Sequence, residues 1–248
     1  MFSVNVIEDL LSRDRIIFEG LEELYVQLPE TRCERKTMCC SLMPEMSLLE
    51  ALYAIRNLCV MQPEKRLSLY KKVVKYFMLN PVEIIKCPFL EGDVCLIYQN
   101  RFFGCRSYGL WSKGYYTSIS EQSRHVKRHI RAMWEKMDVR LPEEIIDFQV
   151  PYCTSVTPVV LKTIDDDKIL SVAESLGSLS RRLSPWHDLF RQGYFSDLSF
   201  LMAALIFGVR ESVSLKFAIV NDVVNKGTPS RLDEAINSVQ DVFSRLTL

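Results

Sequence analysis

Residues 87–106 read Cys87-Pro88-Phe89-Leu90-Glu91-Gly92-Asp93-Val94-Cys95-Leu96-Ile97-Tyr98-Gln99-Asn100-Arg101-Phe102-Phe103-Gly104-Cys105-Arg106. This run holds three cysteines. It sits within a longer stretch, 81–117, punctuated by Pro88, Gly92, Gly104, Gly109 and Gly114 and expected to be mostly irregular, with a short strand at Val94–Tyr98. An irregular connection of that length costs conformational entropy and is uncommon in a compact domain. A bound metal centre would tie it down. The cysteines of this stretch therefore decide how the chain is read.

Five further cysteines, Cys33, Cys39, Cys40, Cys59 and Cys153, bring the total to eight in 248 residues, and none follows Cys153. The N-terminal stretch Met1–Asp9 lacks a basic region and reaches acidic residues early, so no signal peptide is expected. The longest apolar run, Leu198–Val209, falls short of the ~20 residues a bilayer requires and reads as a buried helix. The expectation is a soluble cytoplasmic protein. In a reducing compartment, clustered cysteines favour metal binding or catalysis over disulfides.

Around this stretch the chain is helical. Apolar residues at helical spacing predict helices at 4–27, 48–60, 63–79 and 118–137, then roughly 165–180, 184–192, 196–208, 211–225 and 230–246. Ser47 with Glu50 and Ser118 with Glu121 form capping-box patterns, and Pro63 suits a first helical turn. The fold class expected is mainly α, with long cysteine-bearing loops organised around a metal centre. Residues 1–160 form the cysteine-bearing region and 161–248 a helical C-terminal subdomain. Thirty-one basic residues balance thirty-one acidic ones, so nothing global points to nucleic acid or to an acidic membrane surface.

Cys59 continues the series Leu48, Leu52, Ile55 on one helix face and reads as core, because an unpaired cysteine packs as a small hydrophobe. The other seven, Cys33, Cys39, Cys40, Cys87, Cys95, Cys105 and Cys153, are the candidate metal ligands. Their spacing is irregular, with 5, 0, 46, 7, 9 and 47 residues between them, and no Cys-x-x-Cys knuckle of a structural zinc site occurs. Cuboidal clusters gather cysteines from loops of varied spacing, so an iron–sulfur cluster is preferred and zinc is the alternative. Four ligands serve one [4Fe–4S] cluster; seven leave room for two clusters or a fused centre. Arg101 and Arg106 flank Cys105 and are candidate cofactor-binding residues, since cations favour thiolates and stabilise an anionic cluster.

On these residues the sequence resembles the YkgJ-type cysteine-cluster proteins, a zinc- or iron-chelating family. The matching elements are Cys87-Pro88-Phe89-Leu90, Cys95-Leu96-Ile97-Tyr98 and the Arg101-to-Cys105-Arg106 element, and the resemblance covers about residues 30–110. It implies metal chelation. Two features depart from the family pattern: in its Cys-x-x-Cys-x-x-Cys-Cys block, which falls on Cys33 to Cys40, Lys36 stands in place of the second cysteine, and Phe102 follows Arg101 where the family has proline.

Other features have plainer readings. His125 and His129 share a helix face at metal-binding spacing but lack the following Glu of His-Glu-x-x-His, and they read as solvated. Arg124, Arg128 and Arg131 line one side of that helix opposite Val126, Ile130, Met133 and Met137, as on an ordinary amphipathic surface helix. The aromatics Tyr108, Trp111, Tyr115 and Tyr116 suit either a shield over a cluster or packing under a loop. Asp165-Asp166-Asp167 suits a helix N-terminus. No phosphate loop, nucleophile elbow or dinucleotide fingerprint is present. The function expected is iron–sulfur binding in electron transfer or in the assembly or activation of a redox enzyme. A cluster-dependent enzyme with an open iron site and a zinc-stapled interaction module are the alternatives. The partner expected is a redox protein, and the C-terminal helices are candidates for a homodimer interface.

Overall fold

The structure, a computed structural model, describes residues 1–13, 15–34, 36–158 and 164–244, without the side chains of Arg13, Arg15, Cys33 and Pro158. It is mainly helical. Helices α1 (Val4–Arg13) and α2 (Arg15–Tyr25) replace the single helix expected over 4–27. β1 (Thr31–Cys33) leads through a short 3₁₀ turn at Met38–Ser41 to α3 (Leu48–Cys59) and α4 (Pro63–Leu79). The capping box opens α3 as the sequence predicts, with Ser47 and Glu50 each satisfying the other's backbone N–H, and Pro63 occupies the first turn of α4.

The cysteine-rich stretch is not wholly irregular. It folds into a hairpin of β2 (Leu90–Glu91) and β3 (Val94–Cys95), and then a one-turn helix, α5 (Phe103–Ser107). The hairpin turn places Gly92 at φ 61°, a conformation glycine adopts without steric cost. The strand expected to reach Tyr98 stops at Cys95, and a 3₁₀ turn follows at Tyr98–Asn100.

Helix α6 (Lys113–Glu135) starts a turn and a half earlier than the Ser118 signal predicts, because Ser112 caps it by accepting from Tyr115 N–H. After α7 (Glu143–Asp147), β4 (Val156–Pro158) pairs antiparallel with β1, placing Cys33 opposite Val156. Asp165 caps α8 (Asp166–Arg181) by accepting from Lys168 N–H, so the acidic run sits at a helix start as read. α9 (Trp186–Gly193), α10 (Leu198–Phe207), α11 (Val209–Lys226) and α12 (Leu232–Asn237) complete the chain. The last helix ends earlier than expected, although Leu232, Ala235, Val239 and Phe243 still bury one apolar side.

One hydrophobic core runs through these elements. Leu48, Leu49, Leu52 and Ile55 of α3 are fully buried, and α1, α2, α8 and α9 pack around that helix. Helix α4 carries α10, α11 and α12, with Phe77 stacked on Phe200 at 5.2 Å. Elements from both sides of residue 160 thus contribute to the same core. The Leu198–Val209 run does form a buried helix through Ala204, and no single helix among the described residues is long and apolar enough to cross a membrane.

Candidate metal centre

Five cysteines line one cavity of about 190 Å³: Cys39 and Cys40 from the 3₁₀ turn, Cys87 before the hairpin, Cys95 on β3 and Cys105 on α5. Backbone hydrogen bonds tie these segments together. Cys87 N–H donates to the Cys40 carbonyl at 2.6 Å, joining the first cysteine loop to the second. Leu96 N–H donates to the Phe89 carbonyl at 2.8 Å and holds the hairpin closed. Phe89 and Phe102, buried and edge-to-face at 5.8 Å, anchor the two ends of the loop in the main core and form the cavity's inner wall.

Glu50 positions α5. Its buried carboxylate accepts from Phe103 N–H at 2.6 Å and from Tyr25 Oη–H at 2.8 Å through Oε1, while Oε2 serves the α3 cap. Cys105 follows Phe103 by two residues. The approach of α5 to the chain at Pro44 is also close, since a Cβ on Gly104 would stand 2.9 Å from Pro44 Cβ. Sequence patterns reveal Glu50 as a capping residue; its second role depends on a residue 53 positions away.

The electrostatics of the cavity are those of crowded thiols. Cys39 and Cys40 face each other with sulfurs 3.8 Å apart. The hydrogen bond from Cys40, helped by Arg101, brings the Cys39 thiol down to about 7, and the same contact together with burial pushes Cys40 up. Burial pushes Cys87 up to about 12, and it raises Cys95 and Cys105 too. Neighbouring thiols add to each of these shifts, and Arg101 opposes them at Cys95 and Cys105. Without a positive centre, this cavity favours protonated thiols at all but Cys39.

Arg101 lines the cavity, stacked on Tyr98 at 4.3 Å and donating to Thr31 Oγ1 at 3.2 Å. Its Nε–H is buried with no hydrogen-bond partner among the described residues. Such a donor is costly to leave unmade unless a ligand accepts from it. Arg106 stands behind the site. Its guanidinium packs on the Tyr25 ring at 4.2 Å and donates to the backbone carbonyls of Arg101 and Gln99, bracing the loop.

Comparison with family profiles, with curated proteins and with solved structures gives no match.

The remaining sequence candidates lie elsewhere. Cys153 is buried beside Gly109 and Val156 and is not among the cavity's lining residues. Cys33 belongs to β1, and its side chain lies outside the described residues. Cys59 packs against the core, where burial raises its thiol to about 11. His125 and His129 are exposed on α6. Of the four aromatics, Trp111 stacks on Tyr115 at 4.7 Å over a small satellite core with Leu28 and Ile169, and Tyr116 donates to the Val150 carbonyl at 2.7 Å. None of the four lines the cavity. Among the described residues, no three His, Cys, Asp or Glu side chains converge on a single metal-ion position; the five thiols stand around a space.

Proposed function

We propose that this chain is an iron–sulfur protein in which four of the five cavity thiols hold a [4Fe–4S] cluster, and that its role is one-electron transfer. The observation that carries this reading is the cavity itself, with five cysteines and one arginine closed in by apolar walls. Its volume of about 190 Å³ is below the ~300–1,000 Å³ of sites for organic ligands, which favours a compact inorganic group.

The donor chemistry fits such a group. A cluster supplies the positive iron that buried thiolates need, so protons held by Cys87, Cys95 and Cys105 would be released on binding. The orphaned Arg101 Nε–H would donate to a sulfur atom and offset the anionic charge. Phe89, Ile97 and Phe102 exclude water from the inner side. When bound, the cluster supplies a one-electron couple; the chain sets its potential through Arg101 and the apolar wall. Five thiols for four positions leave no need for an open iron, and the cavity has little further space for a substrate. That favours an electron carrier over a cluster-dependent enzyme. The resemblance of residues 30–110 to the YkgJ-type family supports metal chelation at the same cysteines.

The test is iron, zinc and acid-labile sulfide content with a visible spectrum, on protein purified without oxygen. About four irons with matching sulfide and broad absorbance near ~400 nm are expected. Stoichiometric zinc without sulfide would overturn the proposal in favour of a zinc-stapled module.

A further inference from the structure

Helix α6 buries none of its residues. Its inner edge is held to the protein by polar and aromatic ties. Lys127 Nζ donates to the Phe148 carbonyl at 2.6 Å, Arg131 pairs with Glu143 at 3.4 Å, and Trp134 stacks on Phe217 of α11 at 5.9 Å. The apolar side that the sequence assigns to packing faces solvent instead. Ile119, Val126, Ile130 and Met133, with Met137 just past the helix end, are 37%, 57%, 42%, 51% and 46% exposed. Scattered exposed apolar residues need no explanation, but five aligned along one helix face do.

The spacing of that row identifies what fits it. The steps are 7, 4, 3 and 4 residues, the d-to-a alternation of a heptad seam, with Ser123 at the one polar position. Such a seam is a narrow stripe, narrower than the apolar face of a helix lying in a membrane interface, and it carries neither Trp nor Phe. The rows on either side are Gln122, His129 and Lys136, and Ser120, Lys127 and Trp134. No carboxylate occurs in them. A second copy of α6 would therefore bring no acidic residue to meet Lys136, whereas an acidic helix would. The helix and its cap carry six cationic residues against two acidic ones, in a chain whose charges balance overall.

We propose that the exposed seam of α6 docks an acidic amphipathic helix of another protein, with apolar residues entering the row from Ile119 to Met137 and carboxylates meeting Lys136 and His129. The site is independent of the cysteine cavity and does not rest on the metal reading.

The experiment uses the full chain and a fluorescent synthetic peptide of several heptads, with Leu at a and d and Glu at e and g, read by anisotropy. Expected is saturable binding that weakens as salt rises and weakens roughly tenfold or more in Ile130→Glu and Met133→Glu. Both side chains are exposed, so far-UV circular dichroism and melting of these variants should match the parent; a variant that fails this check is replaced by Lys136→Glu, expected to weaken binding as well. The same peptide with Lys at e and g should not bind. Equal binding of both peptides, no binding of the acidic one, or no effect of any folded variant overturns the proposal. So does a dimer in sedimentation velocity that Ile130→Glu dissolves, which assigns the face to a second copy. Binding to phosphatidylserine vesicles without peptide binding overturns it in favour of a membrane surface.

Discussion

Replacing Glu50 by glutamine keeps the side chain's size and its Oε1 acceptor, yet places an amide NH₂ where Oε2 accepts from Ser47 N–H at 2.9 Å and Ser47 Oγ–H at 3.0 Å. Two donors then face each other at the start of α3. Loss of the reciprocal cap costs roughly 0.5–2 kcal/mol. The bonds from Tyr25 and Phe103 lose their charge assistance, roughly 1 kcal/mol more between them. The expected loss, about 1.5–3 kcal/mol, is a sizeable part of a domain stability of about 5–15 kcal/mol. Denaturant unfolding reads it as a lower midpoint at unchanged slope. A local readout separates cap from site: Cys105 is half-buried on the cavity wall, and it should be alkylated faster in Glu50→Gln than in the parent because α5 hangs from the Phe103–Glu50 bond. Stability within about 0.5 kcal/mol of the parent, with Cys105 equally protected, would refute the reasoning.

Four further outcomes are expected. In metal analysis, Cys87→Ser and Cys105→Ser should lose most bound iron, whereas Cys59→Ser and Cys153→Ser, changed outside the cavity lining, should keep it at a packing cost of about 1 kcal/mol. Arg101→Gln should lower the reduction potential of the proposed cluster by an amount equivalent to about 1–2 kcal/mol, read by redox titration, since a cation lining the cavity is removed. Arg66 and Asp241, joined at 2.5 Å with side chains 6% and 14% exposed, tie α4 to the C-terminal turn; Arg66→Met should cost about 3–5 kcal/mol in unfolding experiments. Lys216 packs on the Phe77 ring at 4.1 Å and donates to Asn80 at 3.0 Å, and burial brings its amine down to about 8. The unfolded chain holds that proton to higher pH, so stability should rise between about pH 8 and the ordinary lysine range, and Lys216→Met should abolish this rise.

Where the sequence was legible, the signal was local. The Ser47–Glu50 box, Pro63 and the Asp165 run each name a helix start through contacts within one turn, and the structure bears out all three. The Ser118–Glu121 pattern has the same form yet lies inside α6, because Ser112 caps the helix first and its backbone and hydroxyl are held by Asp166 at 2.8 and 2.5 Å. That tie comes from 54 residues away and leaves no local trace. The site divides in the same way. That the cysteines of residues 87–105 are neighbours could be read from the sequence; that Cys39 and Cys40 share their cavity while Cys153 does not line it depends on how the chain returns through the Cys40–Cys87 and Glu50–Phe103 bonds. The amphipathic pattern of α6 was legible too, but periodicity shows only that a helix has two faces. It does not show which of them meets the protein.

The cavity is walled unequally, and this bears on how a cluster would enter. Its inner wall, Phe89, Ile97 and Phe102, belongs to the hydrophobic core, while on the outer side Val94 and Tyr98 are 45% and 39% exposed on a two-residue-strand hairpin and the turn after it. Swinging the hairpin outward breaks few buried contacts; moving the inner wall disrupts the fold. On the proposed reading a cluster would therefore enter from the hairpin side, where Glu91 to Val94 are exposed, and not through the helical scaffold.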